Sequence, residues 1–270
     1  MDNALTFIPP ALQKNIRVIL TTVWIGLCAL AMEEQSVLLT GHFPSSGWLR
    51  GFVFCGAVFA YSFNHPARLR RWTALGMGGL AFGCFWKIPE AARWVALAPL
   101  SIWLLYYGFQ QPGRSGLRAV PVLKPLAIAL AWAWVTVLLP LDPQNWDSAW
   151  LLLPGRTAFV FALALAYDLC DPAFDRRQGL VTLAAHLGVG RTFQLIDVSL
   201  LLSAGCAAGN YWLDIYPLRA TLALWVSLLC AALLLRPILR LEVVERKKMY
   251  IDGLMILQYL LVLSAVFFRG

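Results

Sequence analysis

The chain has 270 residues, of which 60% are hydrophobic and only 13% charged, with a mean hydropathy of +0.69. A soluble domain is roughly 45–50% apolar and about 25% charged, so the composition excludes an ordinary soluble enzyme and points to a polytopic membrane protein. The net charge of +8 needs no nucleic acid to account for it, because contact with anionic lipid and an anionic substrate is sufficient.

A membrane span needs about 20 mostly apolar residues. Apolar stretches recur along the whole length and place nine helices near 15–32, 48–63, 72–86, 92–109, 122–141, 149–168, 193–213, 216–236 and 250–268. A polar lead with Lys14 and Arg17 precedes the first, and no A-x-A site ends it, so no cleaved leader is expected. With the N-terminus in the cytoplasm, the inner segments hold Lys14, Arg17, Arg68, Arg70, Arg71, Arg114, Arg118, Lys124, Arg176, Arg177, Arg191, Arg236, Arg240, Arg246, Lys247 and Lys248. Only Arg50, Lys87, Arg93, Arg156, Arg219 and Arg269 fall at the other ends. This asymmetry follows the positive-inside rule. No linker rich in Pro, Gly or Ser divides the chain. The expectation is one all-α transmembrane bundle over residues 1–270, multi-pass in the cell inner membrane, with a cytoplasmic N-terminus and an outer C-terminus.

Chemistry-bearing residues collect in four inner loops. The first, NHPARLRR, follows helix 2 and carries an arginine run that serves either as a plain inside anchor or as an anion site. The second, QQPGRSGLRAVPVLK, ends at Lys124, placed either to reach a phosphate or to snorkel. The third, DLCDPAFDRRQGLVTLAAHLGVGRT, holds Asp168, Asp171 and Asp175 in a chain with only 14 acidic residues. Carboxylates at i, i+3 and i+7 share one helical face, and oxygen ligands suit a hard cation such as Mg²⁺. A metal held that way clamps a pyrophosphate. Pro172 argues instead for a break, with Asp171 capping a short new helix and Pro172 at its first position. The fourth loop, RPILRLEVVERKKMYIDG, ends at Asp252, read as satisfying a helix N-terminus. Asp197, one turn inside helix 7, either supports the acidic cluster or pairs with Arg191. The six cysteines form no C-x-x-C pair and read as buried thiols, neither a disulfide framework nor a zinc site.

The run YDLCDPAFDRRQGLVTLAAHLG resembles the second aspartate-rich motif of the UbiA superfamily of intramembrane prenyltransferases, through Asp168, Asp171, Asp175, Arg176, Gly179, Thr182, Leu183 and Gly188. The segment from Tyr106 to Pro140, with Lys124 before its apolar run, is similar to the family's connection between the fourth and fifth helices. The family's first motif, N-D-x-x-D-x-x-x-D, is degenerate here. Asn64 is kept, but His65, Arg68 and Trp72 stand at the three Asp positions.

The resemblance implies a transferase of prenyl groups, moving an allylic unit from a Mg²⁺-bound polyprenyl diphosphate to a hydrophobic or aromatic acceptor. It implies that Asp168, Asp171 and Asp175 hold the metal and that Asp175 and Lys124 take part in the chemistry. Asn64, Arg68, Arg71, Lys124 and Arg176 are then the substrate contacts, with guanidinium replacing a lost cation. The degenerate first motif keeps a second reading open: a non-catalytic relative that binds an isoprenoid lipid or a membrane-protein partner. A transporter would show repeated halves, and no such repeat is present.

Overall fold

A computed structural model describes residues 10–41, 46–63, 68–107, 120–172 and 181–267; the side chains of 10–18, 68, 106 and 107 are not among those described. Within this set the secondary structure is entirely helical, and the long helices number nine. They are α1 (Pro10–Thr40), α2 (Gly47–Phe63), α3 (Arg68–Phe85), α4 (Glu90–Tyr107), α5 (Leu123–Ala133), α6 (Leu152–Cys170), α7 (Leu183–Trp212), α8 (Leu218–Leu239) and α9 (Val244–Phe267). Five segments are long and apolar enough to cross a membrane: Ile19–Thr40 of α1, α6, α7, α8 and α9. A sixth appears if Leu123–Leu138 and Pro143–Ala149, bent by 119°, count as one broken span. Nine helices match the sequence expectation in number, whereas five or six of them meet the test for a crossing.

Two compact units make up the chain: residues 1–30 with 46–88, and residues 31–45 with 89–270. In the first, α2 and α3 pack as a hairpin. Glycines let the helices approach, since a Cβ on Gly26 would fall 2.5 Å from the Phe54 ring and one on Gly78 would fall 3.0 Å from Phe59. Arg70 lies inside this unit, its Nη2 donating to Thr21 Oγ1 at 3.2 Å and its guanidinium 5.4 Å from the centre of the Tyr61 ring.

The second unit is organised around α6, which packs against α5, α7, α8 and α9. Its sequence explains that position. LLPGRTAFVFALALAYDLC is apolar nearly all round, and such a helix belongs in an interior. Phe159, Leu163 and Leu165 are among its fully buried side chains. Small residues seat α7 closely: a Cβ on Gly155 would meet Cys206 at 3.0 Å, and one on Gly209 would meet Leu151 at 2.6 Å. On α8 the outward residues Leu222, Trp225, Val226, Leu229 and Leu233 are exposed and apolar, as a lipid-facing surface requires.

Two departures from regular helix shape this unit. Beyond the end of α5 the chain continues as a π-helical turn, Trp134–Leu138, before Pro140, and Trp134 Nε1 donates to Val95 O of α4 at 3.0 Å. In α7, Gly188 adopts φ 77°, ψ 165° and kinks the helix; Thr182 starts it by accepting from Ala185 N through its Oγ1. The helix expected at 193–213 therefore begins ten residues earlier, with the kink where the sequence showed only a loop.

Candidate functional site at the C-terminal end of α6

Asp168 lies one turn from the C-terminal end of α6, and Lys124 is the second residue of α5. Antiparallel packing of the two helices brings these ends together. Lys124 Nζ sits 2.6 Å from Asp168 Oδ1, with the side chains 11% and 5% exposed. Lys124 thus turns inward against the carboxylate and does not snorkel. Burial this deep is tolerated because each charge meets an opposite one at hydrogen-bond distance.

Helix α6 ends at Cys170. Asp171 is its C-terminal cap, with φ −145° and ψ 67°, and helical geometry resumes at Pro172. A continuous helix from Asp168 through Asp171 is therefore corrected to a break at Asp171, because proline disfavours helical geometry in the residue before it. The break does not scatter the carboxylates: Asp168 stays on the helix, and Asp171, half-buried, follows at its end. Asp175, Arg176 and Asn64 lie outside the described residues, as does the side chain of Arg68. Arg71 is exposed on α3, and Trp72, standing where the UbiA motif has an aspartate, is 63% exposed.

A second carboxylate joins the site from α9. Asp252 is 5% exposed and accepts a hydrogen bond from Tyr167 Oη at 2.5 Å. Its expected role at a helix N-terminus is corrected: it lies on the third turn of α9 and serves a tertiary contact. Tyr167 immediately precedes Asp168, so α6 presents neighbouring polar side chains to two partner helices. Lys247 and Lys248, in the first turns of α9, are close enough to act electrostatically on Cys170, as are Asp171 and Asp252. The C-terminal end of α6 is thus an acidic centre that Lys124 contacts and on which Lys247 and Lys248 act electrostatically. The sequence signal for the α9 contribution was the KKMYID run, in which Lys248 and Asp252 are spaced i, i+4 on one face.

Asp197 is not part of this centre, and it does not pair with Arg191. It bonds Arg236 Nη2 of α8 at 2.7 Å, and both side chains are about half exposed. His186 is exposed.

Among the described residues no group of three His, Cys, Asp or Glu side chains is placed to hold a metal ion. The donor chemistry defines what does fit. Asp168 and Asp171 supply hard oxygens, and Mg²⁺ is usually held by one or two carboxylates completed by water and substrate phosphate. The two carboxylates fit an ion that takes its other ligands from elsewhere, and among the described residues they do not form a complete metal cage.

No family model and no curated protein sequence matches the chain. Solved structures do match it in fold. A digeranylgeranylglyceryl phosphate synthase is 12% identical, with a TM-score of 0.60 over 94% of this chain and 96% of that one. A UbiA homologue from Archaeoglobus fulgidus bound to GPP and Mg²⁺ is 14% identical, with a TM-score of 0.64 over 93% and 99%. A structure of a UbiA homologue from the same organism bound to Cd²⁺ is 13% identical, with a TM-score of 0.62 over 92% and 99%. The chain has the UbiA fold.

Proposed function

We propose that this protein is a membrane prenyltransferase that takes an allylic diphosphate with Mg²⁺ and alkylates a lipophilic or aromatic acceptor. The observation that carries the reading is the buried Lys124–Asp168 pair beside Asp171, in a fold that a GPP- and Mg²⁺-bound homologue shares. Asp168 and Asp171 would hold the ion, with Asp175 in support. The ion, when bound, supplies charge stabilisation for the departing diphosphate.

The protein's own groups supply the rest. Lys124, held in place by Asp168, is a fixed cation at the mouth of the acidic centre, and Lys247 and Lys248 add positive charge where a diphosphate would lie. Asn64, Arg68, Arg71 and Arg176 belong to this proposal as further diphosphate contacts. In the reaction the allylic C–O bond breaks with its electron pair leaving on the diphosphate. The acceptor donates an electron pair to the allylic carbon and loses a proton. The apolar wall of α6 keeps water from the cationic carbon.

The test needs no knowledge of the acceptor. Purified protein in lipid nanodiscs is mixed with radiolabelled geranyl diphosphate, with and without Mg²⁺, and retained label and released pyrophosphate are measured. Mg²⁺-dependent retention that Asp168→Asn abolishes supports the proposal; equal retention by that variant makes the acidic centre structural.

The exposed Trp72 at a motif aspartate position favours a second reading, a non-catalytic relative that binds an isoprenoid lipid or a membrane partner. Arg71→Ala separates the two. Weaker diphosphate binding supports the enzyme, while wild-type protein that retains an isoprenoid alcohol but no diphosphate supports the relative.

A further inference from the structure

The other end of α6 carries a second buried charge that the inner site does not use. Arg156 lies twelve residues before Asp168, about 18 Å along the helix axis at 1.5 Å per residue. It is 3% exposed. Its Nη1 donates to Met32 O at 2.9 Å and its Nη2 to Ser36 Oγ at 3.2 Å, both on the second-unit part of α1. Guanidinium has five N–H donors, so these bonds leave donors over. Among the described residues no carboxylate forms an ion pair with it, and Tyr216 is the ionisable side chain that acts on it.

An isolated buried charge is costly, and burying it without a counter-charge is seldom tolerated. Arginine does not escape by losing its proton. Tyr216 does not supply the counter-charge either, because burial pushes its phenol well above the usual range and keeps it protonated. That leaves the phenol as a donor. Tyr216 is 3% exposed, and its hydroxyl has no hydrogen-bond partner.

These groups line one partly open cavity of about 20 Å³ with Asn210, Ser203 and Gln258, flanked by Leu side chains and Phe159. Asn210 is 1% exposed, and its Oδ1 is also without a partner. Because the two ends of a side-chain amide are interchangeable in assignment, Asn210 offers the cavity an N–H donor when turned. Its backbone carbonyl meanwhile accepts from Ile215 N and Tyr216 N, which holds the tyrosine in position. A water needs roughly 10–15 Å³ of such space, so the room suits a single particle slightly larger than water.

We infer that the cavity bounded by Arg156, Tyr216 and Asn210 binds one small monovalent anion of halide type, which neutralises the buried guanidinium and joins α1, α6 and the α7–α8 turn. A neutral water fills the same space but leaves the charge uncompensated. A weakly hydrated anion matches the weakly hydrated guanidinium and the apolar remainder of the wall. The site is independent of the proposed prenyl transfer and stands whether or not that chemistry occurs.

The test uses the full chain in detergent and its melting temperature, read by tryptophan fluorescence. Chloride and bromide are titrated against gluconate at constant ionic strength. A saturable rise in melting temperature with the halides, absent with gluconate, is expected. Arg156→Gln abolishes that rise, and Tyr216→Phe, which removes one donor and keeps the ring, weakens halide affinity roughly tenfold or more. If Arg156→Gln does not fold, the Tyr216→Phe titration decides alone. Crystals grown in bromide should show an anomalous peak in the cavity. No halide-specific stabilisation, unchanged affinity in Tyr216→Phe, or stabilisation that requires added phosphatidylglycerol in place of halide would each overturn the assignment.

Discussion

Lys124 and Asp168 are 44 residues apart in sequence, yet the ammonium of one lies 2.6 Å from the carboxylate of the other. The pair links the start of α5 to the end of α6 and neutralises the charge density of an acidic centre in which Asp171 and Asp252 also take part.

The pair is expected to be strongly coupled. Breaking a buried pair by removing one partner costs about 3–5 kcal/mol. Lys124→Met and Asp168→Asn should therefore each lower the melting temperature clearly. The double variant should be less destabilised than the sum, by a coupling energy of roughly 0.5–3 kcal/mol. Thermal melts of the four proteins complete the cycle; strict additivity would show that the contact carries no stability.

Asp171 should behave differently from Asp168. It is half-buried at a helix end, so Asp171→Asn should cost less stability than Asp168→Asn, which breaks a more deeply buried pair. Geranyl diphosphate binding in the presence of Mg²⁺ should nonetheless weaken, by about 1.5–3 kcal/mol if one charged contact is lost. Equilibrium binding measured with and without the metal checks this. A loss of binding that is identical in the absence of Mg²⁺ would remove Asp171 from the metal site.

Much of the architecture was legible because the apolar stretches are long and the breaks between them carry Pro or charge. Helix α1 shows where that reading stops. Its expected end was residue 32, before the polar run Glu33–Glu34–Gln35, but the helix continues to Thr40. Glu33 and Gln35 are fully buried there, so tertiary packing overrides a pattern that looks like a loop. The same limit applies to the site. Asp168, Asp171 and Lys124 stood out by local spacing and by position at helix ends. Tyr167 did not, and Asp252 was read as satisfying a helix N-terminus, because local spacing cannot show a contact across 85 residues. Arg156 read as one more basic residue at a helix end; only the fold shows that it faces inward.

The Tyr167–Asp252 contact yields an asymmetric prediction. Tyr167→Phe removes one hydrogen-bond donor from a buried carboxylate, a loss of about 1–3 kcal/mol. Asp252→Asn keeps an oxygen that accepts from Tyr167 and removes a buried charge, so it should be tolerated better. Comparing the two melting temperatures is sufficient. A larger loss in Asp252→Asn would mean that the charge itself, through Lys248 or an ion at the site, is what the fold requires.

Gly188 offers a test of the kink that opens α7. At φ 77°, ψ 165° the backbone occupies a region essentially reserved for glycine, and an L-residue bearing a Cβ is disfavoured there by roughly 1–3 kcal/mol. A Cβ built there meets no atom within 4 Å, so strain of the backbone is the whole expected penalty. Gly188→Ala should therefore lower stability by about that amount, and Gly188→Asn by as much, since the left-handed helical region that asparagine tolerates lies at a different ψ. Thr182→Ala should add its own loss of about 1 kcal/mol, because the threonine hydroxyl caps the same short helix. Unchanged stability in Gly188→Ala would show that the kink does not depend on the positive φ.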